Sequence, residues 1–355
     1  MQRALLDGMS TTAATVAIGA TAAHLAVLTD SSVRELAALQ VALLEPCLAL
    51  STLSRLRLDE LVRSLPLLLW ASAHVSIGLG LGRALLPKSE RRGALLLICA
   101  FGNAGGLPNV VVPAVLRSLQ GGGALVEEGL VYVQMYLFWW RLLVWSVGPP
   151  LLEAAADSYK KTDGDEGTRA EAPTGAARRH RRLLTPPALA SLVGVALGCV
   201  PAVRSLLVDG VPHSPLLAAQ SLGQAGSALA VLTLGFALHG TYATRGAGAG
   251  NPTRSEVLIV CLVRLVLTPA CHLLLHALVH PREGAPISWA YHLVLVLQPA
   301  MPCALSVQAV CQAGGVDARP FGMLMAMQYA LALVSVSLYF SVASQLLPWL
   351  IPPAA

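Results

Sequence analysis

The feature that most limits the fold is a succession of about ten apolar stretches, each close to the length that carries a helix across a bilayer. A span needs about 20 mostly apolar residues. Such stretches lie near residues 9–28, 35–53, 62–86, 94–116, 129–152, 184–203, 214–239, 256–279, 287–311 and 321–347. Lipid offers no partner for a free peptide group, so stretches of this kind must be helices or closed barrels. Runs this long, without strict alternation, point to helices. Only 12% of the residues are charged, against roughly 25% in soluble domains, and mean hydropathy is +0.65. Too little polar surface remains to cover a soluble protein of this length. Aromatic residues make up only 5%, so the apolar mass is Leu, Ala and Val. The first 28 residues could be taken for a signal peptide, but their apolar part exceeds the usual 7–15 residues. They read better as a first span.

One segment breaks the pattern. Residues 153–183 are polar, charged and poor in large apolar side chains, and they divide the spans five and five. The expected organisation is a first five-helix repeat over 1–152, a cytosolic hydrophilic loop over 153–183 and a second repeat over 184–355. About 30 residues of this composition cannot bury a core and read as a flexible connection. Lys160, Lys161, Arg169, Arg178, Arg179, Arg181 and Arg182 lie in this segment. The loops on its side of the membrane carry about twice as many Lys and Arg as those opposite. The positive-inside rule therefore places it in the cytosol, with both termini across the membrane. The net charge of +5 is this loop asymmetry, and it implies no nucleic-acid partner.

An odd number of spans in each half forces the halves into opposite orientations, the arrangement of inverted-repeat transporters. Such proteins bind substrate near the midplane, where corresponding helices of the two halves are interrupted. The fourth span, LLLICAFGNAGGLPNVVVPAVL, carries Gly102, Asn103, Gly105, Gly106, Pro108, Asn109 and Pro113 in its middle and second half. The ninth, LVLVLQPAMPCALSVQAVCQ, carries Gln298, Pro299 and Pro302. Proline removes a backbone donor and glycine weakens the helix around it. Each is the fourth element of its half. An unwound stretch leaves peptide groups without partners and persists in a membrane only where it is buried in protein or lines a cavity. Helix halves that begin after a break aim positive dipole ends at that cavity, which suits an anion. The amides of Asn103 and Asn109 could donate to a carboxylate. Glu45 is an acid within an apolar run, and such residues usually face a cavity or a partner. It joins Asn103, Pro108, Asn109, Gln298 and Pro302 as a candidate substrate-binding residue.

These segments also carry a resemblance. AFGNAGGLPNVVVPAV resembles the fourth-span segment of the auxin efflux carrier family, especially its PIN-LIKES branch. LEPCLALSTL, LLTPPALASLVGVALGCVPAVRSLL, SPLLAAQSLGQAGSALAVLTLGFAL, LVRLVLTPA and LQPAMPCALSVQAV follow in the family's order. The resemblance covers nearly the whole chain apart from its loops. It implies an all-α membrane protein of ten transmembrane helices, a 5+5 inverted repeat in which the broken fourth and ninth helices cross at their prolines. Pro108 and Pro302 would mark the crossing, and Asn109, with Asn103 beside it, would meet the substrate carboxylate. The second-half counterpart of Asn109 would be Cys303, so the halves are chemically unequal. The implied activity is secondary transport of auxin, an indole carboxylate, or of a related small organic anion. The implied compartment is the endoplasmic reticulum membrane, with the plasma membrane as the alternative. The alternative function is a bile-acid-type sodium-coupled symporter, for which Gln298 is the only evident ligand in the ninth span.

Other features have plainer readings. The seven cysteines form no CxxC pair and read as small buried hydrophobes. His272, His276 and His280 share one helix face and could relay protons or hold a metal, although no carboxylate accompanies them in their span. GLGLG at 78–82 follows no strand and reads as close helix packing. Arg141, after Trp139 and Trp140, reads as part of an interfacial belt with a snorkelling arginine in preference to a partner for the substrate carboxylate, and Arg264 as a similar, deeper residue. Gln220, Gln224 and Ser227 could line a cavity or link helices. No clustered acid, base or metal set suggests an enzyme, and no cofactor is implied. The partners expected are the lipid bilayer and a small organic anion, with room for a homodimer. A receptor sits poorly with the two-half repeat.

Overall fold

The computed structural model describes residues 2–89, 91–117, 122–162, 186–207, 214–243, 252–279, 288–313, 316 and 319–346. Among them the chain is helical, with no strand. α1 (Gln2–His24) is followed by α2 (Asp30–Leu39) and α3 (Glu45–Leu53), joined without interruption by a π-turn at Gln40–Leu44. Then come α4 (Leu58–Ser64), α5 (Pro66–Leu85), α6 (Arg92–Ala100), α7 (Pro108–Arg117) and α8 (Gly122–Thr162). The second half holds α9 (Pro186–Cys199), α10 (Pro201–Leu207), α11 (Ser214–Ala243), α12 (Arg254–Leu262) and α13 (Thr268–Val279). A second π-turn, Val263–Leu267, joins the last two. α14 (Trp289–Ala300), α15 (Ser306–Ala313) and α16 (Gly322–Leu346) complete the chain.

Four helical stretches are long and apolar enough alone to cross a bilayer: Leu58–Leu85, Gly123–Ala154, Pro215–Thr233 and Arg254–Val279. A fifth, Gly322–Ala332 with Val334–Leu346, qualifies if its 44° bend is counted within one span. Shorter apolar helices lie at Ala13–His24, Ala42–Leu53 and Pro186–Cys199. The central segment is structured at its start, because α8 continues to Thr162. Residues 163–185 lie outside the described residues, as does His280.

Sequence signals explain the ends. Thr253 and Glu256 form a capping box at α12: the Thr253 hydroxyl accepts from the Glu256 amide at 3.2 Å, and the Thr253 amide donates to Glu256 Oε2 at 2.8 Å. Ser288 caps α14 through the Ala290 amide. Pro108, Pro186 and Pro201 each open a helix, where the missing N–H costs nothing. Each π-turn ends just before a buried or half-buried segment opened by a proline pair, Glu45–Pro46 or Thr268–Pro269.

Burial identifies the centre. Every residue of α6 from Gly93 to Ala100 is buried, and so is every residue of α14 from Ala290 to Ala300. Helices apolar on all sides belong in the middle of such a protein. The outer helices do the opposite. Leu69, Leu258, Leu278 and Val334 are each about 70% exposed. So many large exposed hydrophobes would be untenable in water, and they fit an integral membrane protein.

Small residues let helices touch. α1 packs along α11, and α3 along α9. A Cβ on Gly19 would run into the backbone of Leu232, and one on Gly235 into that of Val16. Gly194 and Gly198 of α9 approach the carbonyls of α3 in the same way. In GLGLG, a Cβ on Gly78 would lie 2.7 Å from Cys99 O and Ala100 Cα, while Gly80 faces open space. The close-packing reading of that motif holds, and its neighbour is the last turn of α6.

Candidate substrate site

The fourth and ninth spans break where the prolines and glycines predict. α6 ends at Ala100 and α7 begins at Pro108; α14 ends at Ala300 and α15 begins at Ser306. The two interruptions meet. Gly102 and Cys303 form an isolated antiparallel bridge, flanked by Asn103 N donating to Pro302 O at 2.7 Å and Ala304 N donating to Phe101 O at 2.8 Å. Each break thus supplies the backbone partners the other has lost, which answers the hydrogen-bonding demand of unwound chain inside an apolar protein. Side chains complete the accounting. Gln328 of α16 accepts from Cys303 N at 2.9 Å. Gln298 donates to Ala104 O at 3.1 Å. Asn103 donates to the Tyr329 hydroxyl at 2.7 Å and accepts from Leu107 N at 3.3 Å.

The candidate residues divide accordingly. Pro302, Asn103 and Gln298 lie in or against the paired segments. Pro108 does not: it opens α7, and the first-half residue facing Cys303 is Gly102. Asn109 stands on the first turn of α7, half-buried, its side-chain oxygen accepting from Gln134 of α8 at 3.1 Å. Glu45 is bound elsewhere. Its Oε2 accepts from Arg141 Nη2 at 2.7 Å, and its Oε1 lies 3.4 Å from Gln40 Nε2. The belt reading of Trp140 and Arg141 is corrected by this geometry. Arg141 is 9% exposed and ion-paired, and Trp140 is buried edge-on against Phe101 of the first break. Burial leaves no route for snorkelling, and the acid on α3 supplies the countercharge. Of Gln220, Gln224 and Ser227 on α11, Gln220 ties its helix to the turn after α3 by accepting from Arg55.

The residue that most shapes the site carried little weight in sequence. Arg264 sits on the π-turn Val263–Leu267 and is fully buried. Its Nε donates to Met301 O at 2.9 Å and its Nη2 to Pro299 O at 3.2 Å, while Nη1 lies 3.4 Å from Cys99 O and Ala100 O. These carbonyls are the C-terminal ends of α6 and α14. Both carry negative dipole ends, so one guanidinium joins the two half-helices. Gly102 is glycine because a Cβ there would lie 2.7 Å from Arg264 Cζ. Nη1 also meets His74 Nε2 of α5 at 2.7 Å, and His74 Nδ1 is hydrogen-bonded to the Tyr136 hydroxyl. The available signal was simply a permanent charge deep in an apolar span. Gln134, Gln328 and Tyr329 gave none beyond being polar within spans.

Comparison with known proteins identifies the family. A family model described as membrane transport protein matches residues 12–340. The chain belongs to that family. The match takes in both broken spans. Among its curated relatives is Protein PIN-LIKES 3 of Arabidopsis thaliana, 22% identical over 287 residues, which are 71% of this chain and 72% of that one. Protein PIN-LIKES 1 of the same plant is 26% identical over 283 residues, 71% of this chain and 59% of the relative. The resemblance read from the motifs is thereby borne out at the level of the family. The family's work is transport rather than catalysis.

Proposed function

We propose that the chain is a secondary transporter of small organic anions of the auxin type, working by alternating access around the paired breaks. The observation that carries this reading is the charge balance at that point. The carbonyl ends of α6 and α14 are met by the fixed charge of Arg264, whose hydrogen-bond partners among the described residues are carbonyls and His74, with no carboxylate. The amino ends of α7 and α15 begin just beyond the same breaks, so an anion there gains both from the helix ends and from the guanidinium. Two buried amide atoms beside the breaks lack a protein partner: Gln328 Nε2, a donor that suits a carboxylate, and Gln298 Oε1, an acceptor that does not. Buried polar atoms are rarely left so unless a ligand or water uses them. Gln134 takes the oxygen of Asn109, which leaves the Asn109 amide hydrogens as donors for a carboxylate.

Ten spans in two inverted five-span repeats, crossing at spans four and nine, is the topology this mechanism needs. The reciprocal packing of α1 on α11 and α3 on α9 supports it, since each pair joins the first span of one half to the second span of the other. The central segment 153–183 then lies in the cytosol, and the likeness to PIN-LIKES proteins favours the endoplasmic reticulum membrane. For the sodium-coupled alternative, Gln298 Oε1 is a buried acceptor without a protein partner, whereas the carbonyls of Met301 and Pro299 accept from Arg264. The test is uptake of radiolabelled indole-3-acetate into proteoliposomes. Saturable uptake above protein-free vesicles, lost in Asn109→Ala, is expected. Uptake no faster than in protein-free vesicles refutes the auxin reading.

A further inference from the structure

We infer that His74 is a proton-binding site whose occupancy competes with the Arg264 clamp, so that movement of the crossing, and the transport proposed above on which its physiological meaning rests, is linked to proton uptake. The argument is one of donors and acceptors. A guanidinium has five donors and no acceptor. At 2.7 Å from Arg264 Nη1, His74 Nε2 must therefore accept, and the proton of the neutral ring lies on Nδ1, donated to the Tyr136 hydroxyl. A second proton can add only at Nε2, the atom Arg264 already uses. Protonated His74 thus presents an N–H and a positive charge to a guanidinium at hydrogen-bond distance. The two states exclude one another.

What Arg264 holds makes this consequential. The same guanidinium binds the carbonyls of Met301 and Pro299 and approaches those of Cys99 and Ala100. A proton on His74 favours the state in which Arg264 releases α6 and α14, and the proton leaves when the clamp reforms. The titratable and charged groups facing His74 are Arg264 from the π-turn, Tyr136 from α8 and His272 from α13, whose ring centroid is 6.0 Å away. Cys99 of α6 lies beside the guanidinium.

Further imidazoles pack beside this site. His272 and His276, one turn apart on α13, both pack on Trp70, with centroids at 5.0 and 5.4 Å. His276 Nε2 meets His292 Nδ1 at 3.3 Å. From there Tyr291 stacks edge-on with Tyr132, whose hydroxyl donates to Glu128 at 2.9 Å. Glu128 is half-buried and also accepts from Ser288 at the start of α14. Only the His276–His292 contact in this group is a hydrogen bond between imidazoles; the others to rings are packing contacts, which carry no proton.

The experiment is amide hydrogen exchange, read by mass spectrometry, of the full-length protein in nanodiscs between pH 5.5 and 8, corrected for intrinsic exchange. Peptides covering 101–107 and 301–305 report the crossing. In the wild type their opening should rise as pH falls, by up to about tenfold per pH unit, the limit for one linked proton. His74→Gln keeps an acceptor for Arg264 but cannot titrate, and should flatten the response. Should that variant not fold, Tyr136→Phe should move the midpoint while keeping the response. Wild-type exchange that does not change with pH, or a response that persists unchanged in His74→Gln, overturns the proposal. Uptake measured in parallel separates the two readings: no uptake at any pH refutes the transport assignment, while the exchange data still decide for or against His74.

Discussion

Gly102→Ala is the sharpest perturbation the geometry offers. It adds one methyl group, yet the new Cβ would lie 2.7 Å from Arg264 Cζ and closer still to Nη2. The guanidinium cannot yield without giving up its bonds to Met301 O at 2.9 Å, His74 at 2.7 Å and Pro299 O at 3.2 Å. The two contacts at 3.4 Å add little, since bonds weaken steeply with distance and angle. The outcome is a buried charge stripped of its partners, which costs about 3–5 kcal/mol. Gly80→Ala is the control. Gly80 lies on α5 with nothing within 4 Å of its added Cβ, so the change is neutral or gains up to about 1 kcal/mol from helix propensity. Thermal unfolding of detergent-purified protein by tryptophan fluorescence is the assay. Gly102→Ala should lower the midpoint by several degrees, and Gly80→Ala should not. In a double variant, Gly102→Ala with Arg264→Met should lose less than the sum of the single changes, because the clash is gone. Unchanged stability in Gly102→Ala, or strict additivity in the pair, would refute the clamp.

Other consequences are independent of that one. Glu45→Ala should destabilise the protein by about 2–3 kcal/mol by leaving Arg141, which is nearly buried, without its carboxylate; Glu45→Ala combined with Arg141→Met should recover part of the loss in the same melting assay. Thr253→Ala removes the hydroxyl half of the capping box at α12, leaves the backbone amide bond to Glu256, and should cost about 1 kcal/mol, with faster hydrogen exchange confined to residues 254–257. Gly235→Val drives a side chain into the backbone of α1 and should make the first helix hypersensitive to protease without affecting the second-half peptides. Asn109→Ala should cost about 1–3 kcal/mol of stability by leaving the buried Gln134 amide without its acceptor, and should lower indole-3-acetate uptake at least about tenfold, the range expected for one or two lost bonds to a charged ligand.

The positions of the breaks were legible because they follow from local covalent facts. Pro108, Pro299 and Pro302 lack amide hydrogens, and the glycines around 102–106 remove the side-chain packing that would hold a helix. The close packing of GLGLG was legible for the same reason. What the residues on either side of a break would bind was not. Asn103, Gln298 and Pro302 lie in or against the paired segments, but Pro108 only opens a helix, because the pairing falls at Gly102, where the chain can be approached most closely. Glu45 and Arg141 are far apart in sequence, and each alone looks like a stray charge; only the packing of α3 on α8 makes them partners. Arg264 shows the limit most clearly. Its acceptors are main-chain carbonyls at two helix ends, which carry no side-chain signature, and its neighbour His74 is a lone histidine in an apolar run, the kind of residue that usually does no more than fill space.

The central claim is that an organic anion is recognised, as an anion, where the two broken helices meet. The most direct measurement is equilibrium binding of radiolabelled indole-3-acetate to the purified protein, with competition by unlabelled indole-3-acetate, benzoate and neutral indole-3-acetamide. Saturable binding displaced by both carboxylates, at least about tenfold less by the amide, and lost in Asn109→Ala, is the predicted result. Equal displacement by the amide, or full binding in Asn109→Ala, would contradict it.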